Sequence, residues 1–382
     1  MASSPIKSGA SSYLFYSVLQ ISIAVVGVLV VSGCAGVNAQ QNPAKPHHTP
    51  EGFKNNYTGS VTKPPGDFFR WQYERLLGGL PKAPQTPTPT VAADLAFIQS
   101  NAKAPAMQPA ITWVGHATML VQANGLNVLT DPIFSERASP VQSFGPKRAH
   151  PPALSIEQLP PIDVVLISHN HYDHLDRNSV LALSNKAQAA TLFLVPLGVK
   201  ALFDDLGIGN VKELDWWDSI NIKGVEFNFT PVQHWSARGL TDRSQTLWGG
   251  WAVFGPAMHW YFSGDTGYSQ DFVDTQKRFA ERQTPAKGGA FDLLLLPVGA
   301  YEPRWFMKEQ HINPAEAVQI HLDLKAKRSV GVHWGTFELT DEPLDQPPKD
   351  LALALRERGL APDAFTVMAI GQTRVLPVRP AP

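Results

Sequence analysis

The 382-residue chain is poor in the residues that several common chemistries need. It has a single cysteine, Cys34, which excludes a disulfide framework within the chain and a zinc site built from several thiolates. Charge of one sign is not in excess, with 32 lysines and arginines against 33 acidic residues. No global field recruits a polyanion, so no nucleic acid partner is expected. A Gly-x-Ser-x-Gly elbow is missing, which disfavours a serine hydrolase. What remains is 43% hydrophobic and 17% charged, the composition of a globular protein with a sizeable core.

The first residues stand apart from that core. Lys7 precedes a nearly unbroken apolar run, Tyr13–Val31, followed by Val31-Ser32-Gly33-Cys34. A positive start, an apolar stretch and small residues before a break are the parts of a secretory signal. With the cysteine at its end the segment resembles the lipobox of bacterial lipoproteins, which implies cleavage after residue 33 and lipidation of Cys34. The alternative is an uncleaved anchor, since 19 helical residues span roughly 28 Å. Either arrangement places the domain outside the cytoplasm and near a membrane. Ala35, which is not aspartate, favours the outer membrane if the cell is Gram-negative. Residues 34–51 lack periodicity and read as a flexible tether, with His47 and His48 as a surface pair. Residues 52–108 read as an extension packed on the main domain, and 109–382 as the catalytic domain.

The chemistry concentrates in Ile167-Ser168-His169-Asn170-His171-Tyr172-Asp173-His174, directly after the apolar run Val164-Val165-Leu166. The run predicts a buried strand ending where the histidines begin. His169 and His171 would point the same way in an extended segment, and Asp173 and His174 follow a turn. Further apolar runs predict strands that end near His234, Asp265 and His333. Strand ends on one sheet edge converge, so His169, His171 and His234 can hold one ion and Asp173, His174 and His333 a second. Asp265, with two oxygens, can bridge them. Imidazole and carboxylate donors without thiolate suit zinc, with iron and manganese also compatible. Strands mixed with helices suggest a layered α/β or α+β sandwich.

The pattern resembles the metallo-β-lactamase superfamily, whose four-layer αββα sandwich carries a dinuclear site with this order of ligands. Trp113-Val114-Gly115-His116-Ala117-Thr118, Leu129-Thr130-Asp131-Pro132-Ile133-Phe134-Ser135 and Gly145-Pro146-Lys147-Arg148 narrow the resemblance. So do Glu213-Leu214-Asp215-Trp216-Trp217, Gln233-His234-Trp235 and His333-Trp334-Gly335-Thr336-Phe337. These blocks are similar to the N-acylphosphatidylethanolamine-hydrolysing phospholipase D branch. That resemblance implies two zinc ions on the ligands named, Asp131 and His116 as supports around the metal loop, and His311 at the mouth of the site. Asp173, Asp265 and His311 are then the catalytic candidates. The expected reaction is hydrolysis of a membrane phospholipid to phosphatidate and an N-acylethanolamine. Trp216, Trp217, Trp305 and Phe306 are candidates for an acyl-chain groove or, equally, for core packing. Rival readings are a hydrolase of the same fold acting on a lactone, ester or other phosphodiester, and a lipoprotein without catalysis. One departure from the family is the lipoprotein-type start, which the animal enzymes lack.

Overall fold

The computed structural model describes residues 42–188 and 190–380. The expected signal segment and Cys34 lie outside the described residues.

A short pairing of β1 (His48–Thr49) with β2 (Gly52–Phe53) is followed by helices α1 (Pro65–Gly78) and α2 (Leu95–Asn101). Strands β3 (Ala110–Gly115), β4 (Thr118–Ala123) and β5 (Leu126–Thr130) form an antiparallel meander. Parallel strands β6 (Val164–Leu166), β7 (Leu192–Pro196) and β8 (Val211–Leu214) extend it, with α3 (Arg177–Lys186) and α4 (Lys200–Asp205) as crossovers. The second sheet starts with the antiparallel strands β9 (Ser219–Ile222), β10 (Val225–Thr230), β11 (Gly250–Phe254) and β12 (His259–Phe262). After α5 (Asp271–Arg278) come β13 (Leu293–Pro297), α6 (Arg304–Met307), α7 (Pro314–Asp323), β14 (Ser329–Val332), α8 (Gln346–Glu357), β15 (Phe365–Val367) and β16 (Thr373–Val375). The two mixed sheets have seven strands each, ordered β16-β3-β4-β5-β6-β7-β8 and β15-β14-β13-β12-β11-β10-β9.

The period-two pattern of the first sheet sorts its side chains into two layers. Met119, Val121, Val164, Leu166 and Leu194 enter the core shared with the second sheet, together with Phe227, Trp251 and Leu295. Their neighbours Leu120, Val165, Phe193 and Val195 turn outward and pack with Val180, Leu183 and Phe203 of α3 and α4. Ile320 and Leu355, from α7 and α8, close over the second sheet within the larger core. Both sheets are therefore covered on both faces, which explains why their strands read as unbroken apolar runs. Local signals agree with the packing. Asp176 caps α3, and Asn313 forms a reciprocal capping box with Glu316 at α7, where Pro314 takes the first helical position.

Two expectations need correction. Ala364 to Val378 reads in the sequence as a strand pair, but its strands join different sheets: β15 runs parallel to β14, and β16 lies antiparallel to β3. Gly371 makes the crossing, because a Cβ at its left-handed backbone would sit 2.1 Å from the Val91 carbonyl oxygen. Residues 42–51, read as tether from composition, lie folded against the domain from Asn42 onward, and His47 and His48 are not a surface pair. His47 Nε2 and His48 Nε2 bond to Asp215 at 2.7 and 2.9 Å, and the His47 ring stacks on Trp216.

Candidate metal centre

Strand direction gathers the chemistry. β3, β5 and β6 run the same way in one sheet, and β10, β12 and β14 share a direction in the other. Their C-terminal ends deliver His116, Asp131, the 168–174 loop, His234, Asp265 and His333. His116, Asp131 and His333 all have left-handed backbones, the kind of local strain that a packed site sustains. Gly264 lets the Asp265 turn approach the histidine loop, since a Cβ there would meet Ser168 Cβ at 2.4 Å.

The donor atoms form two groups, each within 4.8 Å internally. In the first, His171 Nδ1 lies 2.8 Å from His169 Nε2 and 3.3 Å from His234 Nε2. In the second, His174 Nε2 and His333 Nε2 are 3.1 Å apart, and Asp173 Oδ2 lies 3.3 and 3.2 Å from them. His116 joins this second group, its Nε2 being 3.0 Å from Asp173 Oδ2. Asp265 Oδ2 lies 3.1 Å from His174 Nε2 and 3.2 Å from His333 Nε2. Its Oδ1 is buried and has no hydrogen-bond partner among the described residues.

Tautomers show that this arrangement fits cations. His174 Nδ1–H donates to Asp131 Oδ2 at 2.7 Å, and His234 Nδ1–H donates to the Gln310 carbonyl at 2.8 Å. Ser168 Oγ–H donates to Asp131 Oδ2 at 2.5 Å, so Ser168 Oγ in turn accepts from His169 Nδ1–H at 2.9 Å. Each of these rings carries its proton on the outer nitrogen and aims a lone pair inward. His171 Nδ1 and His333 Nε2 meet these lone pairs at 2.8–3.3 Å, with no partner on their other ring nitrogens among the described residues, and a cation on each group would satisfy all the donors at once. The residues present therefore fit two divalent ions with nitrogen and oxygen ligands.

The electrostatics divide the donors: four imidazoles are kept neutral, while carboxylates favour positive charge on His174 and His333, as they would favour a cation there. Burial drives His116, His171, His234 and His311 down to about 3, which keeps these imidazoles neutral at pH 7. Burial also opposes charge on His174 and His333, but Asp265 and Asp173 outweigh it, and His333 rises to about 9. Burial pushes Asp173 and Asp265 up, and the surrounding histidines overcome it and hold both well below the ordinary carboxylate range. The Asp131 carboxyl is raised by burial, only partly offset by its bonds from His174 and Ser168.

The structure thus brings together His169, His171, Asp173, His174, His234, Asp265 and His333, with Asp131 and His116 beside them. His311 faces the same space, its Nδ1 being 3.6 Å from Asp265 Oδ2. The aromatic candidates separate. Trp216 is a core residue, buried and donating from Nε1 to the Trp248 carbonyl, and it lines no groove. Trp217 lies under Arg278 beside Phe279, and Phe306 is buried in a stack with Trp71. Only Trp305 among these four is exposed.

Sequence reasoning missed two clamps. Arg238 Nη1 donates to the carbonyls of Asn170 and Leu175, both at 2.8 Å, bracketing the metal loop, while its guanidinium lies over Tyr172. Asn55 bonds the main chain of His234 in both directions. Neither stands in a motif, because each acts on backbone far away in sequence.

Comparison with known proteins agrees with this geometry. A beta-lactamase superfamily domain is matched over residues 126–334. The chain is 41% identical over 273 residues to N-acyl-phosphatidylethanolamine-hydrolyzing phospholipase D 1 of Caenorhabditis elegans, covering 68% of this chain and 74% of that protein. It is 37% identical over 270 residues to the mitochondrial N-acyl-phosphatidylethanolamine-hydrolyzing phospholipase D of Saccharomyces cerevisiae, covering 69% of this chain and 55% of that one. An uncharacterized protein of Mycobacterium tuberculosis is 44% identical over 250 residues, 64% of this chain and 63% of its own length. The match thus spans less than two thirds of the yeast and mycobacterial proteins. In structure the fold is similar to an isothiocyanate hydrolase from Delia radicum gut bacteria, with a TM-score of 0.53 at 20% identity over 70% of this chain and 99% of that one. With the domain matched over more than half its length and relatives this close, the chain belongs to the metallo-β-lactamase superfamily and is a metal-dependent hydrolase related to the N-acylphosphatidylethanolamine-hydrolysing phospholipases D.

Proposed function

We propose that this protein is a phospholipase D-type phosphodiesterase that hydrolyses N-acylphosphatidylethanolamine-type phospholipids to phosphatidate and an N-acylethanolamine. The observation that carries the reading is the set of inward-facing donors described above, in a chain 41% identical to a relative named for this reaction. Zinc is the ion we assign to both groups, from the nitrogen and oxygen donors and the want of thiolate. A pair of such cations supplies Lewis acidity and an activated water at neutral pH.

The chain's own residues do the rest. His169, His171 and His234 would hold one ion and Asp173, His174 and His333 the other, with Asp265 shared. Asp131 and Ser168 keep His174 and His169 in the ligating tautomer. His116 Nε2–H donates to Asp173 Oδ2 and fixes that carboxylate. His311 Nδ1 is buried with no hydrogen-bond partner among the described residues, next to Asp265. It is placed to hold a substrate oxygen or pass a proton to the departing alcohol.

A membrane substrate fits the surface beside the site. Trp71 and Phe306 stack at 4.9 Å and join α1 to α6, whose C-terminal Met307 leads through Gln310 to His311. The outer side of α1 exposes Phe69 (63%), Tyr73 (62%) and Leu77 (71%), and Trp305 adds a further exposed ring. Apolar side chains exposed together mark an interaction surface. Among the described residues no helix is long and apolar enough to cross a membrane. We assign attachment to a lipidated Cys34, with the uncleaved apolar segment before it as the alternative anchor, in a bacterial cell envelope, with α1 lying against the lipid.

The test is the metal-loaded protein assayed on vesicles of N-acylated and ordinary phospholipids, on water-soluble phosphodiesters and on lactones. Release of N-acylethanolamine and phosphatidate in equal amounts is expected. Lactone opening without phosphodiester cleavage would refute the assignment.

A further inference from the structure

The segment before α1 lies outside the matched superfamily domain, yet it reaches the metal centre. Asn55 is buried there. Its Oδ1 accepts from the His234 N–H at 2.9 Å and from Trp248 Nε1–H at 3.1 Å, and its Nδ2 donates to the His234 carbonyl at 3.0 Å. Two donors on one side and an acceptor on the other determine which way the amide faces. Asn55 thus pairs both main-chain groups of a ligand residue, as a neighbouring strand would. His234 has need of such a partner, since β10 ends at Thr230. The ring is held separately by the Gln310 carbonyl, leaving Nε2 as its free inward donor.

The strap carrying Asn55 is anchored on both sides of that contact. Phe53 enters the core, and its N–H donates to the Ser244 carbonyl at 2.8 Å. Gly52 passes so close that a Cβ would lie 2.1 Å from the same oxygen. Further upstream, Lys45 Nζ, His47 Nε2 and His48 Nε2 converge on Asp215 at 2.5, 2.7 and 2.9 Å. Two imidazoles and a carboxylate are also a metal-type set, but two features make this one a latch. The Asn42 N–H donates to His48 Nδ1 at 2.9 Å, so His48 Nε2 carries a proton and donates to Asp215. The Lys45 ammonium already supplies the cation that Asp215 needs.

We propose that Asn55 is a positioning residue of the metal centre, and that the Lys45–His47–His48 latch on Asp215 holds the strap so that Asn55 can set the His234 backbone. The inference rests on the metal centre but not on the identity of the substrate. The group of donors that includes His234 is the one affected, since Asn55 bonds to His234 and Trp248 and, among the described residues, to none of Asp173, His174 and His333.

The experiment is zinc titration of the full-length, chelator-stripped protein against a chromophoric competitor, with melting of the metal-free protein measured in parallel. Asn55→Ala is expected to weaken one of the two sites by about 10- to 100-fold, the range for partners that orient metal ligands, and to leave the other within about twofold. Lys45→Ala, at a half-exposed side chain that cannot prevent folding, is expected to weaken the same site by about two- to tenfold, the low end of such effects. Two sites of wild-type affinity in Asn55→Ala, or equal weakening of both, would overturn the proposal. If Asn55→Ala does not fold, unchanged zinc affinity in Lys45→Ala overturns it instead. A wild-type protein that binds no zinc removes the metal centre itself, an outcome separate from failure of the strap.

Discussion

Asp131→Asn is the sharpest test of how the ligands are held. Asp131 is fully buried and accepts three bonds, from Ser168 N–H at 2.7 Å, Ser168 Oγ–H at 2.5 Å and His174 Nδ1–H at 2.7 Å. An asparagine of the same shape has one acceptor fewer. If its oxygen stays on Ser168 N–H, its amide hydrogens face His174 Nδ1, which must then accept. The proton moves to His174 Nε2, the atom aimed at the second donor group, and that ring can no longer ligate. The reversed amide sets two donors against each other at Ser168 N and is worse. Losing an orienting partner costs about 10- to 100-fold in metal affinity, or about 1.4–2.7 kcal/mol. Stability of the metal-free protein should change much less. Losing a charged hydrogen bond costs about 1.5–3 kcal/mol, but removing a buried carboxylate relieves desolvation of similar size, consistent with the upward push that burial gives Asp131. The assay is chelator competition beside thermal melting of stripped protein. A variant that binds two ions as tightly as wild type would refute the tautomer reasoning. A collapse of metal-free stability with affinity intact would refute it equally.

Other expectations follow from the same geometry. Asp265→Asn and His171→Ala should each lower turnover by orders of magnitude while far-ultraviolet dichroism stays native; wild-type rates in either would remove the proposed site. Stripping the metals should abolish hydrolysis and lower stability by about 4 kcal/mol for each ion removed, relative to protein at a metal concentration a thousandfold above the dissociation constant, both reversed by added zinc. Failure of zinc to restore either would argue against a metal centre. Trp71→Ala removes the stack on Phe306 and the bonds from Nε1 to both oxygens of Asp341, each 3.0 Å. It should destabilise the α1 attachment by about 3 kcal/mol and open residues 65–80 to limited proteolysis, with two equivalents of metal still bound.

How much of this was legible in the chain depended on range. The histidine string stands out because four donors fall within six residues, and the apolar runs before His234, Asp265 and His333 marked the other ligands as strand ends. The helix α5 was not foreseen, since only Asp271, Phe272 and Thr275 are buried in it and, apart from Val273, the rest of its surface is charged or polar. For Trp216 and Trp217 the sequence left groove and core packing equally open, and tertiary contacts decided it: the core took Trp216, and Arg278 covers Trp217. His47 and His48 looked like solvated residues of a tether because their partner, Asp215, is more than 160 residues away.

Residue type and local spacing alone therefore determined the donor chemistry, the strand-borne character of the ligands and the superfamily, because metal preference and strand periodicity are properties of neighbouring residues. Only the folded chain decided how closely the donors gather, which nitrogen of His169, His174 and His234 carries its proton, and that Asn55 and Arg238 grip the metal loops. Those outcomes depend on backbone groups meeting across two sheets, and no periodicity within one segment encodes a hydrogen bond to another.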